Sequence, residues 1–195
     1  MRRIALRSSA LRCYDFPLMP DYRRNRVPGG TYFFTVNLLE RRERLLVEHI
    51  DALRNAVRQV CAQRPFHIDA WVVLPDHMHC VWTLSPGDVD YSSRWKAIKI
   101  AFAKTLPISE RLSAVRERKG ERGVWQRRFW EHTIRDDRDY AAHVDYVHIN
   151  PLRHGLVKHV ADWPFSSFHR FVNEGIYPHD WAVEGAALKA GERDE

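Results

Sequence analysis

His77 and His79 flank Met78 inside the run Pro75-Asp76-His77-Met78-His79-Cys80-Val81-Trp82, which reads as a β-strand. Strand side chains alternate between faces, so the two imidazoles share one face while Met78, Cys80 and Trp82 turn to the other. Neighbouring imidazoles pack poorly and bind a divalent metal well. Such pairs also occur by chance on solvated strands, so the pair gains weight only from a second polar constellation. That constellation lies about 70 residues later, where Asp139, His143, Tyr146 and Asn150 fall on one helical face. Tyr140, Val144 and Val147 form an apolar stripe that should face a sheet. Two histidines and a carboxamide oxygen can hold Mg²⁺ or Mn²⁺ with open positions; such an ion polarises a phosphate that a nearby phenol can attack. Taken alone, an amphipathic tyrosine at a domain surface is ordinary. The chemistry therefore rests on the two constellations meeting.

The elements that must bring them together follow from pattern. Thr31 to Leu38 is aromatic and β-branched after the turn Pro28-Gly29-Gly30, and reads as a first strand. Ile50, Leu53, Val57 and Val60 recur at helical spacing from Glu48 to Gln63, and Pro65 ends that helix. His67 to Leu74 and His77 to Leu84 are two further strands, joined by a tight turn at Pro75-Asp76. Tyr91 to Leu106 reads as a second helix, Arg111 to Gly123 as a charged loop, and Val124 to Ile134 as a fourth strand. Asp136 and Asp137 cap a helix from about Arg138 to Asn150, which Pro151 should end. The expected class is α+β: a ferredoxin-like antiparallel sheet in β-α-β-β-α-β order, plus a catalytic helix and a C-terminal extension. His77 and His79 are expected on an exposed face of that sheet.

Composition bounds the rest. The 195 residues suit one domain, with 45% apolar residues, 12% aromatics and seven tryptophans to build its core. Net charge is +6 and the sequence pI about 9.4. Residues 91–130 hold eleven Lys/Arg against three Glu, whereas residues 174–195 hold six acids against two bases. A basic body suggests a polyanionic partner, most simply nucleic acid. Arg94, Lys96 and Lys99 on the second helix, with Arg127 and Arg128, are the candidate phosphate contacts. Cys13, Cys61 and Cys80 have neither the number nor the spacing of a disulfide framework or zinc knuckle, which fits a reducing cytoplasm. No apolar run is long enough to span a membrane. The expected organisation is a disordered extension over residues 1–18, with Met19 as an alternative start, one domain over 19–173 and an acidic tail over 174–195.

His77-Met78-His79 matches the His-hydrophobe-His motif of HUH nucleases. The stretches from Ala70 to Trp82, from Trp125 to His132 and from Asp145 to Gly155 resemble REP-associated tyrosine transposases, the single-tyrosine HUH transposases of bacteria. The resemblance runs from about Tyr22 to Trp181. It implies that His77, His79 and Asn150 bind the divalent ion, Mg²⁺ or Mn²⁺, and that Tyr146 is the nucleophile. Asn150 stands where related transposases often carry Gln, and His148 leaves Tyr146 as the only tyrosine of this motif. The implied reaction is cleavage and rejoining of single-stranded DNA beside REP hairpins through a 5′-phosphotyrosine. The implied setting is the bacterial cytoplasm, at the nucleoid. A monomer is expected, with a dimer as the alternative.

Two other classes compete. A nucleic-acid-binding module or regulator of the same fold would carry exposed aromatics on its central strands; here histidines stand there. A water-using metal hydrolase would want a fuller ligand set such as His-Glu-x-x-His. A covalent protein–DNA adduct separates both from the transesterase.

Overall fold

Tyr32, Phe34 and Val36 alternate with Phe33, Thr35 and Asn37 along the first strand, β1 (Thr31–Asn37), and this alternation organises the molecule. The computed structural model describes residues 24–182 apart from 42, 43, 109 and 111; the expected extension at 1–18 and the end of the acidic tail lie outside the described residues. After β1 come α1 (Leu45–Glu48), α2 (Ile50–Gln63), β2 (Phe66–Val73), β3 (His77–Leu84), α3 (Tyr91–Thr105), α4 (Ala114–Arg118), β4 (Trp130–Thr133), α5 (Asp137–Arg153), a 3-10 turn at Val160–Asp162 and α6 (Phe168–Asn173). The four strands form one antiparallel sheet in the order β2-β3-β1-β4. This is the α+β, ferredoxin-like arrangement, with α5 added as a further layer.

The sheet separates two environments. On one face Phe34, Trp82 and Trp95 of α3 interlock, with Trp82 and Trp95 stacked at 4.1 Å between ring centroids and 14° between planes. On the other face lie Phe33, His77 and His79, and α5 covers them. Phe33 meets His143 at 4.9 Å and Tyr146 at 5.7 Å. Val144 and Val147 of α5 are buried in the main core, and Tyr140 packs partly buried against it. His77 and His79 are 5% and 4% exposed. The expectation of an exposed histidine face is therefore corrected: a strand's alternation says which residues share a face, not whether a later helix covers it.

Three element boundaries also differ. The charged segment after Arg111 contains the short α4, whose N-cap Ser113 accepts from the Arg116 amide. The fourth strand begins at Trp130; the stretch before it is a loop apart from an isolated bridge between Leu38 and Trp125. Helix α5 runs through Pro151 to Arg153. Its stop signal is Gly155, in the left-handed region at φ 66°. There the Gly155 amide donates to the Leu152 carbonyl and the Leu156 amide to the Pro151 carbonyl, a closure that needs a residue free to adopt positive φ. At the other end the Asp136 carboxylate accepts from the Asp139 amide, as the expected cap requires.

Chain after α5 covers the β2 edge: the Ser167 amide donates to the Trp71 carbonyl and the Val73 amide to the Phe165 carbonyl. Ile149, Val160, Phe168 and Ala182 form a second small core, with Tyr177 and Trp181 against it. The packed body thus continues beyond Asn173 to the end of the described residues.

Candidate active site

The turn Leu74-Pro75-Asp76-His77, closed by the Leu74 amide on the His77 carbonyl, delivers His77 at the start of β3. His79 follows on the same face, and the two rings lie 5.0 Å apart, edge to face at 87°. Each ring is held by its Nδ1 atom. His77 Nδ1 lies 2.6 Å from the Asp76 carboxylate, which Arg41 Nε also donates to at 2.7 Å. Burial opposes ionisation of Asp76, but the hydrogen bonds from His77 and Arg41 outweigh it and hold the pKa below the ordinary carboxylate range. An ionised Asp76 can only accept, so Nδ1 of His77 donates to it and Nε2 is the ring nitrogen left to face a ligand. His79 Nδ1 lies 2.9 Å from the Thr35 hydroxyl on β1. Burial, and then the charges of His77 and His154, push the His79 pKa well below its usual value. His79 is a neutral imidazole, the form that binds metal.

Helix α5 lays Tyr146 across this pair. The Tyr146 ring stands 5.3 Å from the His79 ring at 78°, and the Arg153 guanidinium lies 5.4 Å from the Tyr146 ring centroid. Asn150, one turn on, is 2% exposed, and its Nδ2 donates to the Tyr146 carbonyl at 2.5 Å. That bond fixes the amide plane and leaves Oδ1 as its acceptor. Two imidazoles and one carboxamide oxygen suit a divalent ion of the Mg²⁺ to Mn²⁺ range, with the nitrogen ligands favouring Mn²⁺. The four residues taken from the sequence as one site thus come from β3 and α5 packed face to face.

The structure also supplies residues that sequence reasoning missed. Asp76 and Thr35 orient the imidazoles, and His154 stands 5.0 Å from the His77 ring. Asp76 precedes His77 and could have been suspected. His154 lies eight residues after Tyr146, on the same helical face, a signal hidden by the assumption that Pro151 ends the helix. Thr35 is visible only through the register that sets it opposite His79.

The five basic candidates divide. Arg94 is corrected as a phosphate contact: it is 3% exposed, and its guanidinium donates to Asp88 and to the carbonyls of Arg64, Pro65 and Asp90. Lys99 donates to the Gln126 carbonyl at 2.9 Å beside Phe129 and Trp125, and burial, with Arg24 nearby, pushes its pKa down to about 8. Lys96 is exposed on α3, across the sheet from Tyr146. Arg127 and Arg128 are exposed just before β4, and Arg127 pairs with Glu121 at 2.8 Å.

A tyrosine on a helix, laid over a His-x-His strand of a four-stranded antiparallel sheet, defines the class of single-tyrosine HUH proteins. The family model described as "Transposase IS200 like" matches residues 29–150. A REP-associated tyrosine transposase of Escherichia coli is 52% identical over 175 residues, covering 90% of this chain and 98% of that protein. A relative from Haemophilus influenzae is 46% identical over 164 residues, 84% of this chain and 93% of its own length. A solved structure of a REP-associated tyrosine transposase bound to a REP hairpin superposes with a TM-score of 0.73 at 51% identity, covering 91% of this chain and 99% of that one. The chain belongs to the REP-associated tyrosine transposases, within the IS200-like transposase family. Among the described residues no helix is long and apolar enough to cross a membrane.

Proposed function

We propose that this transposase cleaves and rejoins single-stranded DNA beside REP-type hairpins, with Tyr146 as nucleophile. The observation that carries the reading is the Tyr146 ring edge to face on His79 at 5.3 Å, beneath an exposed helix end bearing Arg153. Support for the hairpin comes from the solved relative, which is bound to a REP hairpin.

The phenolic oxygen of Tyr146 attacks a backbone phosphorus. A P–O bond to tyrosine forms and the P–O3′ bond breaks, giving a 5′-phosphotyrosine and a 3′-hydroxyl; the phenol loses a proton and the leaving oxygen gains one. The step is isoenergetic in bond type, so a 3′-hydroxyl can reverse it without ATP. His77, His79 and Asn150 would hold Mg²⁺ or Mn²⁺, whose chemistry is to polarise a non-bridging phosphate oxygen and neutralise developing charge. Asp76 and Thr35 keep the two imidazoles oriented for that role. Arg153 lies where its charge can meet the scissile phosphate. Arg127 and Arg128, and on the far layer Lys96, are proposed to contact DNA outside the reacting centre; Lys99, tied to Gln126, is proposed only as a weaker contact. The reaction belongs in the cytoplasm at the nucleoid, carried out by a monomer.

The test is incubation with labelled hairpin oligonucleotides and Mg²⁺ or Mn²⁺, followed by a denaturing gel. A covalent band is expected with the wild type. Tyr146→Phe should lose it, with cleavage down roughly 10⁴-fold or more while hairpin affinity holds. An adduct formed by Tyr146→Phe would assign the nucleophile elsewhere.

A further inference from the structure

Away from the proposed active centre, three side chains from β4 and α5 converge. His132 Nε2 lies 2.8 Å from Asp139 Oδ2, and His143 Nδ1 lies 3.0 Å from Asp139 Oδ1. The three candidate ligand atoms all lie within 4.8 Å of one another. The two imidazoles stack at 4.6 Å and 13°, so one ring must turn about its Cβ–Cγ bond for both nitrogen lone pairs to meet one ion. These side chains are 10%, 20% and 15% exposed, withdrawn from bulk water but reachable by an ion. We propose that His132, Asp139 and His143 form a second divalent-metal site, of the Zn²⁺ class, that ties β4 to the start of the tyrosine-bearing helix.

The chemistry of the donors supports this. Two imidazole nitrogens and one carboxylate oxygen are a recurrent zinc set with one open position for water. Metal–ligand bonds of about 2.0–2.2 Å place neighbouring ligands roughly 3–3.5 Å apart, and the Asp139 oxygens already lie 2.8 and 3.0 Å from the two imidazole nitrogens. Burial alone would raise the Asp139 pKa, yet the hydrogen bond from His132 and the Arg135 amide hold it down, so a carboxylate stands ready. Binding would move the His132 proton from Nε2, where it bonds the Asp139 carboxylate, to Nδ1, and the His143 proton from Nδ1, where the Asp139 carbonyl accepts at 2.8 Å, to Nε2. Arg135 Nε, 3.9 Å from Asp139 on a side chain 72% exposed, can swing away. Phe33 separates this site from the first one, its ring 4.9 Å from His143 and 5.6 Å from His79.

Asp139 precedes Tyr146 by two helical turns on one face, so an ion there would set how α5 seats on the sheet. The site stands independently of the proposed reaction, since it uses neither Tyr146 nor His77 and His79. Two measurements test it. In the wild-type chain, Zn²⁺ should shift the imidazole NMR resonances of both His132 and His143. In a His77→Gln/His79→Gln variant, one equivalent of Co²⁺ should still bind with visible ligand-field absorption. Adding Asp139→Asn should weaken that binding at least about 100-fold, above the 10–100-fold typical of losing an outer partner. His132 and His143 resonances unmoved by excess Zn²⁺ would overturn the site, as would Co²⁺ affinity indifferent to Asp139→Asn; the wild-type spectra decide if the variants fold poorly.

Discussion

On one side of the sheet, Trp82 of β3 stacks on Trp95 of α3 and Phe34 closes against both; on the other, His79 of the same strand faces Tyr146 of α5. The two layers share strands and differ by one position in register. The first is filled by large rings with no charge to satisfy, and its energy comes from apolar area and close packing. The second buries two imidazoles and a carboxamide beside the half-buried Tyr146 phenol, so each buried group needs a partner: Asp76 for His77, Thr35 for His79, the Tyr146 carbonyl for Asn150. One layer makes the fold stable so that the other can hold polar groups in fixed orientation.

Changes in the apolar layer should act on stability, and changes in the polar layer on chemistry. The largest stability effect is expected for Trp95→Ala, about 3–5 kcal/mol by chemical denaturation, because Trp95 is 1% exposed among Phe34, Trp82 and Phe129. A destabilisation below about 1 kcal/mol would mean the aromatic layer is not the fold's main support. Arg94→Ala should come next, at about 3 kcal/mol, since it strands Asp88 and three carbonyls that Arg94 satisfies. The slope of log affinity for DNA against log salt should stay unchanged. A lowered slope with intact stability would return Arg94 to the DNA interface.

A third change sets the two layers against each other through pH. His148 lies on α5 two residues past Tyr146, its Nε2 2.8 Å from the Ser167 hydroxyl, and burial, with Arg170 nearby, pushes its pKa down to about 3. The folded state therefore holds His148 neutral while the unfolded chain takes up a proton below about pH 6.5. Stability from this group is full above about pH 6.5 and falls as pH drops toward 3, by at most about 1.4 kcal/mol per pH unit. His148→Gln should remove about one proton from the pH dependence of unfolding between about pH 6 and 4. An unaltered dependence would show that His148 titrates normally. The smallest effect is expected on the surface: Arg127→Ala with Arg128→Ala should leave stability within about 0.5 kcal/mol. The same pair should lower the salt slope by about one unit for each phosphate no longer neutralised. No change in slope would place the DNA elsewhere.

Much of this molecule is written in local pattern. Period-two alternation assigns His77 and His79 to one face and Met78, Cys80 and Trp82 to the other, and the structure keeps that division. Period-3.6 spacing likewise gathers Asp139, His143, Tyr146 and Asn150 on one side of α5. These follow from backbone geometry, which acts between residues a few positions apart. Pro151 and Gly155 show where local signals compete: proline lacks the amide that would bond the carbonyl four residues back, yet the helix runs only two residues beyond it, and the glycine's left-handed conformation closes it.

What local pattern leaves open is which surface covers which. The identical alternation would serve a sheet open to water, and only the docking of α5 buries the histidines and with burial lowers the pKa of His79. Arg94 looks like an exposed helical cation until the carbonyls of Arg64 and Pro65, some thirty residues earlier, fold over it. His132 and Asp139 are seven residues apart on different elements, and only the chain reversal between β4 and α5 sets their side chains 2.8 Å apart. Strands, helices and the faces that carry the chemistry were legible from residue order alone, because they depend on short-range sterics and periodicity. Burial, protonation and ligand geometry came from packing, because each depends on the distance between groups that the chain brings together only by folding.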